Sequence, residues 1–311
     1  MIAQHSMFED IGWISLTVKS SLINVMFFER LSITVGHIGI VIYILIVLSC
    51  FLASGLSVLS VSQIAGTGEL QGRGAYYLIS RTLGLQIGCA FGFTLFFSLI
   101  SSCAMNLIGV TELLKAFIKA FRADSEQMTE ADVNIALFII HGVLLGIIAI
   151  GVACRFRLHK FPAQLLFGVL VTIIVVIFVV FSVQKVRCVD GLDERNNQFQ
   201  ISVTKFSIDT FGSNIGPFNT HQLNSRGIQS AFSNTMPLFA SVFAGLPAAT
   251  SSRRGANPAY PQGTLAALIS SASLCLIQSI LLAFRIPQRS LAADPMISMR
   301  TTWTEAVSIT V

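Results

Sequence analysis

Charged side chains are scarce in this sequence. Asp, Glu, Lys and Arg together make up 11% of the 311 residues, whereas a soluble globular domain has about 25%. Hydrophobic residues make up 53% of the chain, and its mean hydropathy is +0.75. So little polar surface excludes a soluble single-core enzyme, a disordered protein and a coiled coil. The composition therefore predicts a membrane protein with several spans.

The sequence also lacks the residue patterns of enzymes, metal proteins and nucleic-acid-binding proteins. Its five histidines are scattered, and its six cysteines follow neither metal-ligand spacing nor the pattern of a disulfide framework. The net charge is +5, but the basic residues form no run that would bind nucleic acid. We therefore expect no enzymatic activity, no cofactor and no nucleic-acid partner.

Long stretches without any charge indicate where the chain crosses the membrane. Each is long enough for a helix that spans the bilayer, which takes roughly 20 apolar residues. These stretches are 31–68, 82–111, 133–154, 161–184, 227–252 and 255–284. Helices are expected because the backbone in lipid must satisfy its own hydrogen bonds, and no ten-residue strand pattern recurs.

A seventh segment, about 12–35, is apolar at both ends but contains Lys19, Asn24, Glu29 and Arg30. It is expected to be a broken or interfacial helix. The stretch 227–252 is also interrupted, because Pro removes a backbone donor and Gly lowers helix propensity. Either a discontinuous helix or a Pro-kinked helix fits it. The sequence thus predicts an all-α polytopic fold with about seven membrane segments, and paired interrupted helices indicate a transporter site.

The connection after the second segment is a glycine-rich turn followed by an amphipathic helix. Two roles fit this connection, an inner gate and a simple connector between helices. Its motif G-x-G-A-Y-Y-L-I-S-R-x-L-G, Gly72 to Gly84, resembles the corresponding loop of the cation–chloride cotransporters, solute carrier family 12. Further parts of that family are similar to the stretches 28–31, 35–39, 104–112, 243–245 and 261–264, and weaker similarity between them extends the resemblance over most of residues 12–284. Within the family, Val35–His37, Leu56–Val58 and Ile79–Gly84 look most like the member 9 branch, the cotransporter-interacting protein.

The resemblance implies a LeuT-like fold, of the amino acid-polyamine-organocation type, with inverted five-helix repeats. The expected organisation is a short tail 1–11, a first repeat 12–183, an extracellular loop 184–229, the start of a second repeat 230–284, and a polar tail 285–311. The resemblance ends near the seventh helix, so the second repeat is expected to be incomplete. The motif residues Gly72, Gly74, Tyr76, Tyr77 and Arg81 would belong to the gate or loop.

Carried over position by position, the resemblance places the ion site on three segments. These positions are Asn24, Val25, Met26, Asn106, Pro237, Ala240, Ser241, Val242, Phe243, Ala244 and Gly245. The family's potassium-site Tyr falls on Asn106 and its Thr on Ala240, so a phenol and a hydroxyl oxygen are lost. Asn106 can supply a carbonyl oxygen, whereas Ala240 supplies none. Chloride coordination by backbone amides tolerates such changes better than potassium coordination does.

The resemblance implies symport of chloride with potassium, sodium or ammonium by a divergent or truncated member of the family. Three alternatives for this chain stay open: a cotransporter-like protein, a non-transporting membrane partner that regulates intact cotransporters, and a degenerate fragment. We expect the chain to lie in a lipid bilayer. The resemblance implies the plasma membrane, and an internal membrane stays open. A homodimer or association with other cotransporters is the family expectation.

Overall fold

The computed structural model describes residues 2–66, 74–121, 187–192, 198–203, 206–217, 225–246 and 259–293, with helical stretches at 138–140, 142–143 and 145–146. Its helices are α1 (Ile2–Leu22), α2 (Val25–Ile38), α3 (Ile40–Gly66), α4 (Gly74–Leu83), α5 (Leu85–Phe121), α6 (Ile208–Asn214), α7 (Ser225–Thr235), α8 (Pro237–Ala240), α9 (Ala259–Arg285) and α10 (Gln288–Ala293). The predicted span 161–184, most of 133–154, Gly72 and the tail after 293 lie outside the described residues.

Three of the described helices are long and apolar enough to cross a membrane, namely α3, α5 and α9. They coincide with the charge-free windows that begin at 31, 82 and 255. The described part of the chain thus has the predicted helical, multi-span character. The predicted total of seven segments extends into residues outside the description and stays a prediction.

The first segment is a broken helix. Helix α1 ends at Leu22, and α2 begins at Val25, so that Ile23 and Asn24 separate two helices. The Asn24 amide N–H donates to the carbonyl of Leu22 at 3.0 Å, and the carbonyl of Asn24 accepts from Phe27 N–H at 3.0 Å. Asn is one of the residues preferred immediately before a helix begins. The position of Asn24 explains why α2 starts directly after it.

The sixth segment is also interrupted. Helix α7 ends at Thr235, α8 begins at Pro237, and a 3-10 helix, Ser241–Ala244, continues the chain. Pro237 has no N–H for an i−4 bond, so an α-helix cannot run through this point undisturbed. Met236, Ala240 and Gly245 nevertheless keep right-handed helical dihedrals, so the helix is kinked at the proline and tightened in the 3-10 turn rather than unwound. The second proline of the window, Pro247, lies outside the described residues.

The core is built around α9, which packs against both α1 and α3. Small residues bring them close: a Cβ on Gly263 of α9 would lie 2.9 Å from Ile14 Cβ of α1. Close approach at small residues is the usual way for membrane helices to pack. The buried side chains Ile14, Val18 and Tyr43 belong to this core.

Helix α4 folds back onto α5. Gly84 joins them with a φ of +91°, a conformation that glycine adopts without steric cost. Gly88 of α5 packs against Ser80, and Gly92 against the ring of Tyr76. The predicted helix after the glycine-rich turn is present, and it forms a hairpin with the third predicted span.

The loop segment 206–217 covers one end of α9, and α10 packs on α2 beside it. Asn214 is fully buried, and its Nδ2 lies 2.7 Å from the Ala283 carbonyl and 2.9 Å from the Ile286 carbonyl. Ala283 is in the last turn of α9, where carbonyls have no intrahelical donors, and Ile286 directly follows the helix. The ring of Phe211 stacks on Phe284 at 4.4 Å. The segment therefore caps α9 with both hydrogen bonds and apolar contact.

A two-stranded antiparallel hairpin, β1 (Arg187–Leu192) and β2 (Gln198–Val203), lies in the predicted extracellular loop. The all-α expectation did not include it. The apolar residues Phe199, Ile201 and Val203 alternate with polar ones, which is the period of a strand. The hairpin was not predicted because its six-residue strands are shorter than the strands that span a membrane.

Candidate ion site at two helix breaks

The two helix breaks meet in the structure. The side-chain amide of Asn24, between α1 and α2, donates to the carbonyl of Pro237 at the start of α8, with an Nδ2–O distance of 3.4 Å. These residues are 213 positions apart in the chain. The fold thus brings together the two interruptions that the sequence had placed in separate segments.

A third helix holds the second break. The hydroxyl of Ser54 on α3 donates to the carbonyl of Phe239 at 2.9 Å, and both side chains are buried. A carbonyl near the end of a short helix has no complete set of intrahelical donors. Ser54 therefore fixes the position of α8 relative to α3, and with it the geometry of the break.

Gly245 lies at the point where the second break reaches α1 and α9. A Cβ at this position would lie 2.6 Å from Thr264 Cγ2, 2.9 Å from Val18 Cγ2 and 3.3 Å from Tyr260 Cε2. There is no room for a side chain here. The hydroxyl of Thr264 donates to the Tyr260 carbonyl at 2.7 Å, which turns its methyl toward Gly245.

The described side chains that contact the two breaks are neutral. Asn24, Ser54, Thr264 and Tyr260 supply neutral polar groups, and Arg285, a charged residue with only 1% exposure, lies at the opposite end of α9. Any ion held here would interact with dipoles rather than with opposite charges. The amides in the first turn of a helix favour an anion, and the last carbonyls of a helix favour a cation.

The structure places the predicted site residues in three groups. Val25 and Met26 form the first turn of α2, directly after Asn24. Pro237 and Ala240 are the ends of α8, and Ala240 is exposed. Ser241, Val242, Phe243 and Ala244 form the 3-10 helix that ends at Gly245.

Asn106 belongs to α5, and its side-chain amide donates to the Ser102 carbonyl of the same helix at 2.9 Å. Helix α5 contacts α2, the half-helix after the first break. This hydrogen bond uses the side-chain N–H of Asn106. Ion coordination by its side-chain carbonyl oxygen stays a prediction. Of the three predicted segments, the first and the sixth are joined by a direct hydrogen bond.

The described gate or loop residues are located away from the breaks. Gly74 begins α4, Tyr76 packs on Gly92 of α5, and the guanidinium of Arg81 lies 5.9 Å from the centre of the Tyr77 ring. These contacts stabilise the α4–α5 hairpin. A gating role for them stays a prediction.

Sequence reasoning missed Ser54, Thr264 and Tyr260. Each lies on an apolar helix where Ser, Thr and Tyr are common packing residues, so its type alone carried no signal. Helical spacing gave a weak sequence signal, because the buried side of α9 carries Tyr260, Thr264, Ser271 and Cys275. Only the packing of α9 on α1 and α3 shows which of them reach the breaks.

Comparison with known proteins agrees with this architecture. A family described as amino acid permease matches residues 14–298. Solute carrier family 12 member 1 of Mus musculus is 28% identical over 261 residues, and a bumetanide-sensitive sodium-(potassium)-chloride cotransporter of Manduca sexta is 28% identical over 276 residues. These alignments cover 83% and 84% of this chain. Solute carrier family 12 member 9 of Homo sapiens is 35% identical over 105 residues, or 34% of the chain and 11% of that relative.

The longer alignments cover 22% of the Mus musculus protein and 24% of the Manduca sexta protein, so the chain spans less than a quarter of the length of these curated relatives. The three membrane-length helices among its described residues, together with its relatives, make it a multi-pass membrane protein of a transporter family. The chain belongs to the amino acid permease family and is related to the cation–chloride cotransporters of solute carrier family 12.

Proposed function

We propose that this chain takes part in coupled movement of chloride and a monovalent cation, with the ions held where its two broken helices meet. The hydrogen bond between Asn24 and the Pro237 carbonyl is the observation that carries the proposal. Paired helix breaks at one place are the arrangement with which secondary transporters expose backbone groups to ions at the midplane.

The two kinds of ion would use opposite ends of the half-helices. The first-turn amides of α2, at Val25 and Met26, would attract chloride. The last carbonyls of α1 and the carbonyls near Pro237 would coordinate the cation. Because Ala240 has no side-chain oxygen, cation coordination would depend on backbone oxygens, with Asn24 and Asn106 as the side-chain oxygens on the first and third segments. The chemistry supports chloride more directly than it supports any particular cation.

A second function, regulation of intact cotransporters by a non-transporting membrane partner, is favoured by a separate observation. Two side-chain oxygens of the family's potassium site are missing, because Asn106 stands at its Tyr position and Ala240 at its Thr position. Whether this chain moves ions is therefore a separate question from whether it associates with intact relatives. Co-purification with a full-length relative, in the absence of any flux by the chain alone, would support the regulatory function.

The test is chloride uptake into proteoliposomes containing the purified chain, with and without potassium or sodium. Cation-dependent chloride uptake that is lost in Asn24→Ala would support the proposal. Gln288→Ala is the control, because its side-chain amide also donates to a backbone carbonyl, that of Gly216, at a place remote from both breaks. Equal loss in both variants would refute a specific role for the break.

A further inference from the structure

The hydroxyl of Ser54 donates outside its own helix, unlike those of three other serines on α3. Ser49, Ser57 and Ser62 each donate to a carbonyl three or four residues earlier in α3, at 2.8, 2.9 and 2.7 Å. Serine in a helix commonly makes this local bond. Ser54 has 3% exposure and instead donates to the Phe239 carbonyl, 185 positions away, at 2.9 Å. This bond therefore joins α3 to the interrupted sixth segment.

The acceptor belongs to α8, a helix of four residues. Every carbonyl of so short a helix is among its last four, which have no intrahelical donor. Side chains from two other places donate to α8: Ser54 to the Phe239 carbonyl at 2.9 Å, and Asn24 to the Pro237 carbonyl at 3.4 Å. The bond from Ser54 is the shorter of the two and has the usual hydrogen-bond length.

The bond from Ser54 also orients the backbone at a predicted ion-site position. Because a peptide unit is planar, a bond that fixes the Phe239 carbonyl also fixes the N–H of Ala240, which points the opposite way. Ala240 has no side-chain oxygen, so only its backbone groups can contact an ion. Helix α3 is a firm support, because it is long enough to span a membrane and packs against α9.

We propose that Ser54 is a positioning residue for the cation of the proposed transport. Its hydroxyl holds the peptide between Phe239 and Ala240 in the orientation in which the sixth segment presents its backbone oxygens, and Ser54 itself does not contact the ion. This inference rests on the proposed function and adds to it a residue of α3, a helix without a predicted ion-site position. Loss of the hydroxyl would lower the fraction of chains in the binding geometry, which raises the apparent dissociation constant by the same factor.

The experiment measures chloride uptake into proteoliposomes containing the purified chain, as a function of potassium or sodium, whichever supports uptake by the wild type. Ser54→Ala should raise the half-saturating cation concentration by about three- to tenfold, the effect of one lost hydrogen bond. Ser54→Cys is close to serine in size but has a weaker donor. Its half-saturating concentration should lie between those of the wild type and Ser54→Ala.

Ser271→Ala is the matched control. Ser271 has 4% exposure on α9, and its hydroxyl donates to the Ala267 carbonyl of the same helix at 2.8 Å. Its removal deletes an equally buried hydroxyl and leaves α8 attached, so the half-saturating cation concentration should equal that of the wild type.

Two results would overturn this inference alone. One is a lower melting temperature and less uptake in Ser54→Ala with an unchanged half-saturating concentration, as a purely structural role predicts. The other is an equal rise of that concentration in Ser54→Ala and Ser271→Ala. A wild-type chain that takes up no chloride with either cation would overturn the proposed function, and this inference with it.

Discussion

The close packing around Gly245 gives the sharpest prediction about the framework of the site. In Gly245→Ala the new methyl group would lie 2.6 Å from Thr264 Cγ2 and 2.9 Å from Val18 Cγ2, well inside the 3.4–4 Å of ordinary contact. Val18 is on α1 and Thr264 on α9, and both are fully buried. Neither side chain can move without disturbing the core. Overpacking of this kind costs about 1–3 kcal/mol.

The clash can be relieved from the other side. Thr264→Ser deletes the methyl group nearest to Gly245 and keeps the hydroxyl that donates to the Tyr260 carbonyl. Alone, it should cost about 1 kcal/mol, the value for one buried methyl group. Combined with Gly245→Ala, it should recover stability, so that the double variant is less destabilised than the sum of the two single variants by roughly 1 kcal/mol.

The assay is thermal unfolding of the purified chain in detergent for the wild type, both single variants and the double variant. Gly12→Ala is the control, because Gly12 is exposed on α1 with nothing within 4 Å of its added Cβ; it should unfold at or above the wild-type temperature. Wild-type stability of Gly245→Ala, or simple additivity in the double variant, would refute the packing argument. Larger substitutions at Gly245, such as Leu, cannot separate loss of folding from loss of transport.

Two further predictions concern the cap over α9 and α2. Asn214→Ala removes the donor that reaches the carbonyls of Ala283 and Ile286, and it should destabilise the chain by roughly 1–3 kcal/mol. Hydrogen exchange of the amides in the last turn of α9 should become faster. Unchanged exchange would contradict the capping role. Gly39→Ala forces a residue with a Cβ into a φ of +79° and brings that Cβ to 2.5 Å from the Gly216 carbonyl oxygen. Gly39→Ala should reduce the free energy of unfolding by about 2 kcal/mol and so lower the unfolding temperature. Gly12→Ala should not lower it.

The membrane-spanning helices were predictable because hydropathy is a local property. Charge-free windows located α3, α5 and α9 without any tertiary information, and the polar residue Asn24 within an apolar segment located the first break. The glycine-rich turn before α4 was equally visible. In each case neighbouring residues alone decide whether the chain can stay helical in lipid, since the helix satisfies its own backbone hydrogen bonds.

The composition of the site was less predictable, because it depends on contacts between distant residues. Gly245 is a predicted ion-site residue by resemblance, yet the structure shows it as a packing point between α1 and α9, and its role in ion binding stays a prediction. Ser54 and Tyr260 had no distinguishing sequence signal, since buried hydroxyls are common on membrane helices. Their partners are defined only after the helices pack.

The sequence by itself determined that this is a helical membrane protein with interrupted segments, because charge, hydropathy and proline act over one or two helical turns. The tertiary structure decided that the interruptions at Asn24 and Pro237, 213 positions apart, share a hydrogen bond. It also decided that α9 packs against Gly245, at the end of the second interruption. Packing of α1, α3 and α9 at small residues brings these groups together, and no local pattern specifies which distant backbone carbonyl a side chain will meet.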